Sequence, residues 1–288
     1  MTDPFDLMQA DAYLAWRQQK LEQAITNAFD LIVEINDPNQ LTAAERGALL
    51  SRCNRSNMAI YAARTPIDES GLQSLGRQFG LKRLDANWLA GEAGITRITV
   101  CSSEPRQTYI PYTDRAIRWH TDGYYNPPDR QIRAMVLHCA SAAGQGGINR
   151  IMDHEIAYLM LRDANPDFIR ALSAMDAMTI PARTDEQGVA RAAQTGPVFF
   201  VNQQTLHMRY TARTRSIEWK QDQATLAAVA ALEELLASSS PHIHTLKLGP
   251  GMGLLCNNVL HDRSSFTDDP LHPRLLYRAR YLDRLSTT

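Results

Sequence analysis

Residues 133–140 read Arg-Ala-Met-Val-Leu-His-Cys-Ala, a short apolar run of the length typical of a buried β-strand. Similar runs recur along the chain, and segments rich in Gly, Pro and Asn separate them. These runs lie at residues 95–101, 133–140, 148–152, 178–181, 198–202, 243–248, 253–256 and 275–281. Many short strands between turn signals are typical of a barrel or a sandwich, so the sequence predicts a β-rich core from about residue 95.

The first 55 or so residues are instead typical of helices. Apolar side chains recur at helical spacing over residues 21–29. Thr42, followed three residues later by Glu45, forms a capping-box pattern and predicts the start of a second helix. A short apolar run at residues 58–61 predicts a buried strand, and residues 67–79 predict a further helix.

Two helical stretches also interrupt the β-rich part, at residues 154–175 and 225–236. The polar stretch 183–196 is poor in strand-forming residues, so we expect a mobile loop or lid there. No internal repeat or linker divides the chain, which predicts a single domain over residues 1–288.

Composition and charge exclude several classes of protein. The 288 residues include 30 Lys+Arg and 31 Asp+Glu, so the basic excess expected of a nucleic-acid binder is missing. The N-terminal segment lacks the pattern of a signal peptide, and no apolar run is long enough to span a membrane. We therefore expect a soluble, cytoplasmic protein with neither nucleic acid nor membrane as partner. The four cysteines lack C-x-x-C spacing and predict buried, reduced thiols: Cys53, Cys101, Cys139 and Cys256.

The segment His120-Thr121-Asp122-Gly123 places an imidazole two residues before a carboxylate. At a strand end, such residues point to the same face, and Gly123 allows the chain to turn directly afterwards. The pair alone is a weak signal. With His261, which follows another predicted strand, it matches the two histidines and one carboxylate that bind iron in non-haem Fe(II) oxygenases. The long separation fits two strands that meet across a barrel.

Three arginines follow this late histidine. Arg274, Arg278 and Arg280 share parity, so in a strand they would share one face. A guanidinium can hold both oxygens of a carboxylate, which suits the binding of an anionic cosubstrate. Alone, the segment is equally typical of a solvated charged face; its position thirteen residues after His261 favours a pocket.

Together these motifs resemble the taurine dioxygenase/TfdA-like family of Fe(II)- and 2-oxoglutarate-dependent oxygenases. The similarity covers roughly residues 95–285 and includes the Asn-x-Leu-His-x-Arg-x-x-Phe pattern at 258–266, which starts at Asn258. It implies a mixed α/β, mainly β fold: a double-stranded β-helix (jelly roll, cupin-like) core with flanking helices. The mostly helical part would be residues 1–94, and the core would be residues 95–285 with an insertion around 153–240.

The resemblance also assigns roles to residues. His120, Asp122 and His261 would be the iron ligands, and Arg274 would bind the distal carboxylate of 2-oxoglutarate. Asn149 stands where the family has a threonine that helps to hold 2-oxoglutarate, and an amide can donate a hydrogen bond as a hydroxyl does.

Substrate contacts are predicted at four further residues. Arg278 matches a family position that contacts an anionic substrate, and Arg209, in a local basic run, is a second candidate for that anion. Tyr124 and Tyr125 directly follow the iron-binding motif and are candidates for the pocket wall. Packing at a strand end is the alternative for the two tyrosines, and a solvated loop is the alternative for Arg209.

The implied activity is hydroxylation or oxidative cleavage of a small, anionic organic substrate, with Fe(II), 2-oxoglutarate and O2 as cofactors and succinate and CO2 as products. Two alternatives stay open: a non-catalytic sensor of the same fold that binds metal or 2-oxoglutarate, and a zinc-dependent hydrolase that uses the same ligands. Members of the family are often dimers or tetramers, so a homo-oligomer is compatible with the resemblance, although no segment marks an interface.

Overall fold

The computed structural model describes residues 3–85, 94–101, 109–185, 188–269 and 271–285. It is a mixed α/β fold. The helices are α1 Ala10–Gln23, α2 Ala43–Ser56, α3 Glu69–Arg77, α4 His154–Ala164, α5 Pro166–Leu172 and α6 Gln223–Ala237. The strands are β1 Ile32–Ile35, β2 Met58–Ala63, β3 Thr96–Ile98, β4 Ile117–His120, β5 Ala134–Ser141, β6 Gln145–Gly146, β7 Asn149–Met152, β8 Met178–Ile180, β9 Arg183–Asp185, β10 Gly188–Arg191, β11 Gln194–Gly196, β12 Phe199–Asn202, β13 Thr205–Met208, β14 Glu218–Trp219, β15 Ile243–Leu246, β16 Met252–Cys256, β17 Leu260–Arg263, β18 Phe266–Thr267 and β19 Leu275–Tyr281. Among the described helices, none has the length and apolarity that crossing a membrane requires.

Two sheets form the core. One has six strands in the order β1-β2-β16-β5-β19-β3, and the other has four in the order β15-β7-β17-β4. Their facing sides share one apolar cluster, in which Met135 and Leu254 of the larger sheet pack with Ile151 of the smaller sheet. Each of the eight predicted β runs contains a strand, which confirms the prediction of a β-rich core.

Helices α2 and α3 cover the outer face of the larger sheet, where Leu49 and Leu72 pack against Tyr61 and Ala279. Helix α2 begins as predicted. The Thr42 side chain accepts from the Glu45 backbone N–H, and the Glu45 carboxylate accepts from that of Thr42, so two exposed donors of the first turn are satisfied.

The prediction that the first 55 or so residues are helical is wrong at β1, whereas the strand predicted at residues 58–61 is confirmed by β2. Residues 32–35 form a strand parallel to β2, and both strands extend the larger sheet. Four residues are too few to show a strand period in sequence. Strand β1 therefore depends on its pairing with β2. The other edge of β2 is already paired with β16.

The connection between β7 and β15 contains α4, α5 and α6, which pack around a separate apolar cluster with Tyr158, Leu232 and Phe199 at its centre. The expectation of a loop or lid over residues 183–196 is also wrong for its described residues. Strands β9 and β10 form an antiparallel hairpin, and β11 pairs with β8. Glu186 and Gln187 lie outside the described residues.

The prediction of buried cysteines is confirmed for Cys53, Cys139 and Cys256 and is wrong for Cys101, which is partly exposed. Burial raises the pKa of the Cys256 thiol to about 12 and so keeps it protonated and unreactive.

Gly253 of β16 lies beneath the fully buried ring of Tyr61, whose hydroxyl is 3.2 Å from His138 Nδ1. A Cβ at this position would overlap that ring. Gly253→Ala is therefore expected to lower the free energy of unfolding by about 1–3 kcal/mol, the usual cost of overpacking. Urea unfolding followed by circular dichroism measures it.

The matched control is Gly47→Ala in α2, where an added Cβ meets no atom within 4 Å. This variant should gain up to about 1 kcal/mol because alanine favours a helix over glycine. Equal stability of the two variants would contradict the packing described for Tyr61.

Candidate active site

Two histidines lie opposite each other on neighbouring strands. Strands β4 and β17 are antiparallel, and His261 pairs directly with His120, so their ring centroids are 4.2 Å apart. The expectation that these strands meet across a barrel is therefore wrong: they are adjacent in the smaller sheet. Direct pairing fixes both side chains on one face.

Asp122 follows the end of β4, and its Oδ1 lies 3.7 Å from His120 Nε2. The chain turns immediately afterwards at Gly123, which has a φ of +66°. A Cβ there would overlap Cγ1 of Ile132, so both conformation and space require glycine. The predicted convergence of the three side chains is thus present, and one ligand atom from each lies within 4.8 Å of the others.

Asn258 holds Asp122 in place. Its Oδ1 accepts from the Asp122 backbone N–H at 2.8 Å, and its Nδ2 donates to the Asp122 carbonyl at 3.0 Å. Nδ2 also donates to the Ile132 carbonyl at 2.8 Å. Asn258 belongs to the motif that carries the family resemblance, but no role was predicted for this residue. The asparagine three residues before a candidate ligand was the available signal.

The tautomers of both histidines suit metal binding. Nδ1 of His120 lies 3.0 Å from the Arg118 carbonyl, and Nδ1 of His261 lies 3.0 Å from the Val259 carbonyl. A carbonyl only accepts, so each Nδ1 carries a proton, and Nε2 is the ring nitrogen that each histidine can present to a metal. Burial, followed by the proximity of His261, lowers the pKa of His120 to about 3, so its ring is neutral near pH 7.

The carboxylate of Asp122 is charged and incompletely paired. Burial opposes ionisation, but Arg278 and Arg280 outweigh it and hold the pKa of Asp122 well below its usual range. Its Oδ2 is buried and has no hydrogen-bond partner among the described residues. A buried, unsatisfied anionic oxygen beside two imidazoles fits a divalent cation.

A cavity adjoins His120 and His261, and Arg278 in its wall contacts Asp122. It lies between the two sheets, and three arginines contribute to its wall together with Asn149. These arginines are Arg263, Arg274 and Arg278. The positive charge makes the cavity suitable for a small organic anion.

Arg274 is the most available of the three. It is 6% exposed, its guanidinium lies 4.9 Å from the Phe266 ring centroid, and only its backbone N–H donates to another described residue, Asp268. Burial lowers the pKa of Arg274 to about 10, which leaves it charged near pH 7. Arg263 differs because its guanidinium donates to the carbonyls of Thr113 and Arg115.

Asn149 begins β7 and faces the same cavity. Its Nδ2 donates to the Gly147 carbonyl at 3.3 Å. The structure therefore brings the predicted cosubstrate residues, Arg274 and Asn149, to the wall of one cavity beside the three candidate ligands.

Arg278 lies between the cavity and the candidate metal site. Its Nη1 donates to Asp122 Oδ1 at 3.2 Å, while its buried Nε has no partner among the described residues. Arg280, two residues along β19, donates instead to Asp85 at 2.7 Å and to the Tyr125 hydroxyl at 2.8 Å. The buried Nε of Arg280 also has no partner among the described residues, but of these two arginines Arg278 is the one that lines the cavity.

The structure does not bring the other three predicted substrate residues to the cavity wall. Tyr124 is 8% exposed and packs in the apolar cluster of α4, α5 and α6. Tyr125 packs edge-on against it and accepts from Arg280. Arg209 is 7% exposed, and its guanidinium donates to three carbonyls, those of Met178, Gln194 and Gly196.

Two other buried histidines, His138 and His154, do not form a metal site in the described part of the chain. His138 stacks with Tyr61 and Tyr277, and His154 Nε2 contacts the Leu206 carbonyl. Both are buried. Within the described ranges, only His120, Asp122 and His261 are grouped closely enough for one metal ion.

Comparisons with known proteins agree with this geometry. The family model described as taurine catabolism dioxygenase TauD, TfdA family matches residues 19–280. A relative from Amycolatopsis sp, named uridine-5′-phosphate dioxygenase, is 28% identical over 63% of this chain and 66% of its own length. A relative of the same name from Streptomyces sp is 30% identical over 58% of this chain and 62% of its own length. The chain thus matches less than two thirds of either curated relative.

A solved structure resembles nearly the whole chain. It is the non-heme iron oxygenase OrfP in complex with Fe and alpha-ketoglutaric acid, and it aligns over 93% of this chain and 90% of its own. The TM-score is 0.63 at 14% sequence identity, so the likeness concerns the fold.

Proposed function

The chain belongs to the TauD/TfdA family, and on that premise we propose that it is an Fe(II)- and 2-oxoglutarate-dependent dioxygenase that oxidises a small anionic substrate. One observation carries the proposal: two imidazoles and an unsatisfied buried carboxylate converge beside a cavity whose wall includes three arginines. A purely structural role would provide a hydrogen-bond partner for the buried Asp122 Oδ2 and an acceptor for the Arg274 guanidinium, whose described contact is the Phe266 ring.

The proposed core is a double-stranded β-helix. The strand orders β3-β19-β5-β16 and β4-β17-β7-β15 support it, because strands next to each other in the chain alternate between the sheets except at β7 and β15. This is the winding of a jelly roll, in which two four-stranded sheets face each other. The helical connection between β7 and β15 is then the expected insertion.

His120, Asp122 and His261 would hold Fe(II). When bound, the iron would supply dioxygen activation coupled to the oxidation of 2-oxoglutarate to succinate and CO2. The protein orients the ligands beforehand: carbonyls fix the two imidazole rings, and Asn258 fixes the backbone of Asp122 on both sides. Loss of such an outer contact typically lowers metal affinity or activity by about 10–100-fold.

Arg274 would bind the distal carboxylate of 2-oxoglutarate through its fork of N–H donors. Burial of Arg274 strengthens the ion pair between its guanidinium and this carboxylate, since opposite charges attract more strongly where water is excluded. Asn149, on the same cavity wall, would donate a second hydrogen bond.

Arg278 would bind the anionic group of the substrate. It lines the cavity beside Asp122, and its Nε is an unused buried donor. The curated relatives carry the name uridine-5′-phosphate dioxygenase, so uridine 5′-phosphate is the first substrate to test, with taurine as the sulfonate in the same panel. Succinate release above the substrate-free level identifies a substrate. A level that no organic anion raises would count against the activity.

Arg278→Ala is expected to raise the substrate KM by about 30–100-fold, because a buried charge-assisted contact is worth about 2–3 kcal/mol. The KM for 2-oxoglutarate should change less than threefold. Succinate release at saturating Fe(II) measures both constants, and saturation compensates for the lost contact with Asp122. Arg64→Ala, at a surface ion pair with Glu34, is the control. Equal increases in both KM values would overturn the assignment.

A further inference from the structure

Asp85 is a buried carboxylate that binds two arginines at once. Its Oδ2 accepts from Nη2 of Arg280 at 2.7 Å, and its Oδ1 accepts from Nη2 of Arg130 at 2.7 Å. The side chains of Asp85 and Arg280 are both 3% exposed, whereas that of Arg130 is half exposed. The backbone N–H of Asp85 also donates to the Arg280 carbonyl at 2.8 Å. Asp85 is therefore fixed to β19 at the residue whose guanidinium it binds.

Arg280 lies close to the candidate metal ligand Asp122. It shares one face of β19 with Arg278, whose Nη1 donates to Asp122 Oδ1. Nη1 of Arg280 donates to the hydroxyl of Tyr125, in the turn that follows Asp122. Burial opposes ionisation of Asp122, yet the attraction of both guanidiniums lowers its pKa, so each is near enough to act on this carboxylate. Two cations thus lie beside one candidate metal ligand.

A second guanidinium on Asp122 would oppose metal binding. It would occupy the oxygen that a divalent cation needs, and its charge would repel the ion. In the structure, both terminal nitrogens of Arg280 are bound instead to Asp85 and Tyr125. The buried Nε of Arg280 and the buried Oδ2 of Asp122 each lack a hydrogen-bond partner among the described residues, so the two groups do not bond to each other.

We propose that Asp85 is a positioning residue for the metal site: it holds Arg280 away from Asp122 and keeps Oδ2 of Asp122 available to a divalent cation. Asp85 also neutralises the charge of Arg280 in a place from which water is excluded, where an unpaired cation would act most strongly on an incoming metal ion. This inference deepens the proposed function and rests on it.

Anaerobic titration with Fe(II) tests the proposal without turnover. Asp85→Asn keeps the size of the side chain but removes its charge, so it should lower the affinity for Fe(II) by about 10–100-fold. Arg280→Gln removes the competing cation and should bind Fe(II) at least as tightly as the wild type. The double variant Asp85→Asn/Arg280→Gln should return to within threefold of the wild type. A merely structural ion pair would give similar losses in both single variants and no recovery in the double variant.

The matched control is Asp283→Asn, which removes a carboxylate that pairs with Arg83 outside the candidate metal site. It should bind Fe(II) like the wild type, and circular dichroism checks the fold of every variant. An affinity of Asp85→Asn within threefold of the wild type would overturn the proposal, as would a tenfold loss in Arg280→Gln or in the double variant. If Asp85→Asn does not fold, the last two variants decide by the same limits.

The wild-type titration separates the two levels of the account. A wild-type protein that binds no Fe(II) would remove the metal site, and the proposed function would fail together with the role of Asp85. If the wild type binds Fe(II) and only the Asp85 and Arg280 variants depart from expectation, the role of Asp85 fails and the proposed function stands.

Discussion

His120→Ala is expected to lower the affinity for Fe(II) by more than about 100-fold, because loss of a ligand costs at least as much as loss of an outer contact. The fold should persist, since His120 contributes to the sheet through its backbone on β4. Anaerobic titration with Fe(II) measures the affinity, and circular dichroism checks the fold. Succinate release should disappear in the same variant.

The matched control is His242→Ala, which removes a partly buried histidine outside the candidate metal site. It should bind Fe(II) like the wild type. If both variants bind Fe(II) equally well, the metal lies elsewhere, and the roles given to Asp122 and His261 fall as well.

Arg274→Ala is the second change with a large expected effect. It should raise the KM for 2-oxoglutarate by about 100-fold, because a two-bond guanidinium–carboxylate contact in a buried site is worth roughly 3 kcal/mol. Arg274→Lys should recover only part of this loss, since an ammonium cannot match both carboxylate oxygens. Oxygen uptake at varied 2-oxoglutarate concentration measures all three proteins.

Arg170→Ala provides the control for removing an arginine. Its side chain is 63% exposed on α5 and pairs only with Asp167 of the same helix. It should leave the KM for 2-oxoglutarate unchanged. A KM in Arg274→Ala that stays within threefold of the wild type would place the distal carboxylate elsewhere in the cavity.

The segment with Arg278 and Arg280 shows what the alternation of residues along a strand can and cannot predict. The alternation over residues 275–281 predicted β19 with its correct bounds, because one face is apolar and the other carries the arginines. Leu276 and Arg278 line the cavity, whereas Tyr277 and Tyr281 pack on the helix-covered face. Parity could not predict that Arg280 pairs with Asp85, because that partner is 195 residues away in the chain.

The hydrogen-bond partners of Arg209 could not be predicted from the sequence for a similar reason. Its three acceptors are carbonyls around β8 and β11, and their positions depend on how those strands pair. The stretch 183–196 has few strand-forming residues. Its strands exist because neighbouring segments supply hydrogen-bond partners, which is a tertiary effect that overrides local propensity.

The candidate metal ligands were predictable because each is marked by a local motif. Their mutual arrangement was not, since the order of strands in a sheet is set by packing between distant segments. The direct pairing of His120 with His261 emerged only from the register of β4 and β17.

Anaerobic absorption spectroscopy tests the central claim most directly. Fe(II) is added to the purified protein first, and 2-oxoglutarate second. We expect a weak visible band from 2-oxoglutarate bound to iron, absent in His120→Ala and weakened in Arg274→Ala at equal ligand concentration. A wild-type protein that shows no such band at saturating Fe(II) and 2-oxoglutarate would contradict the account, and the same three ligands would then have to serve a zinc hydrolase or a non-catalytic binding protein.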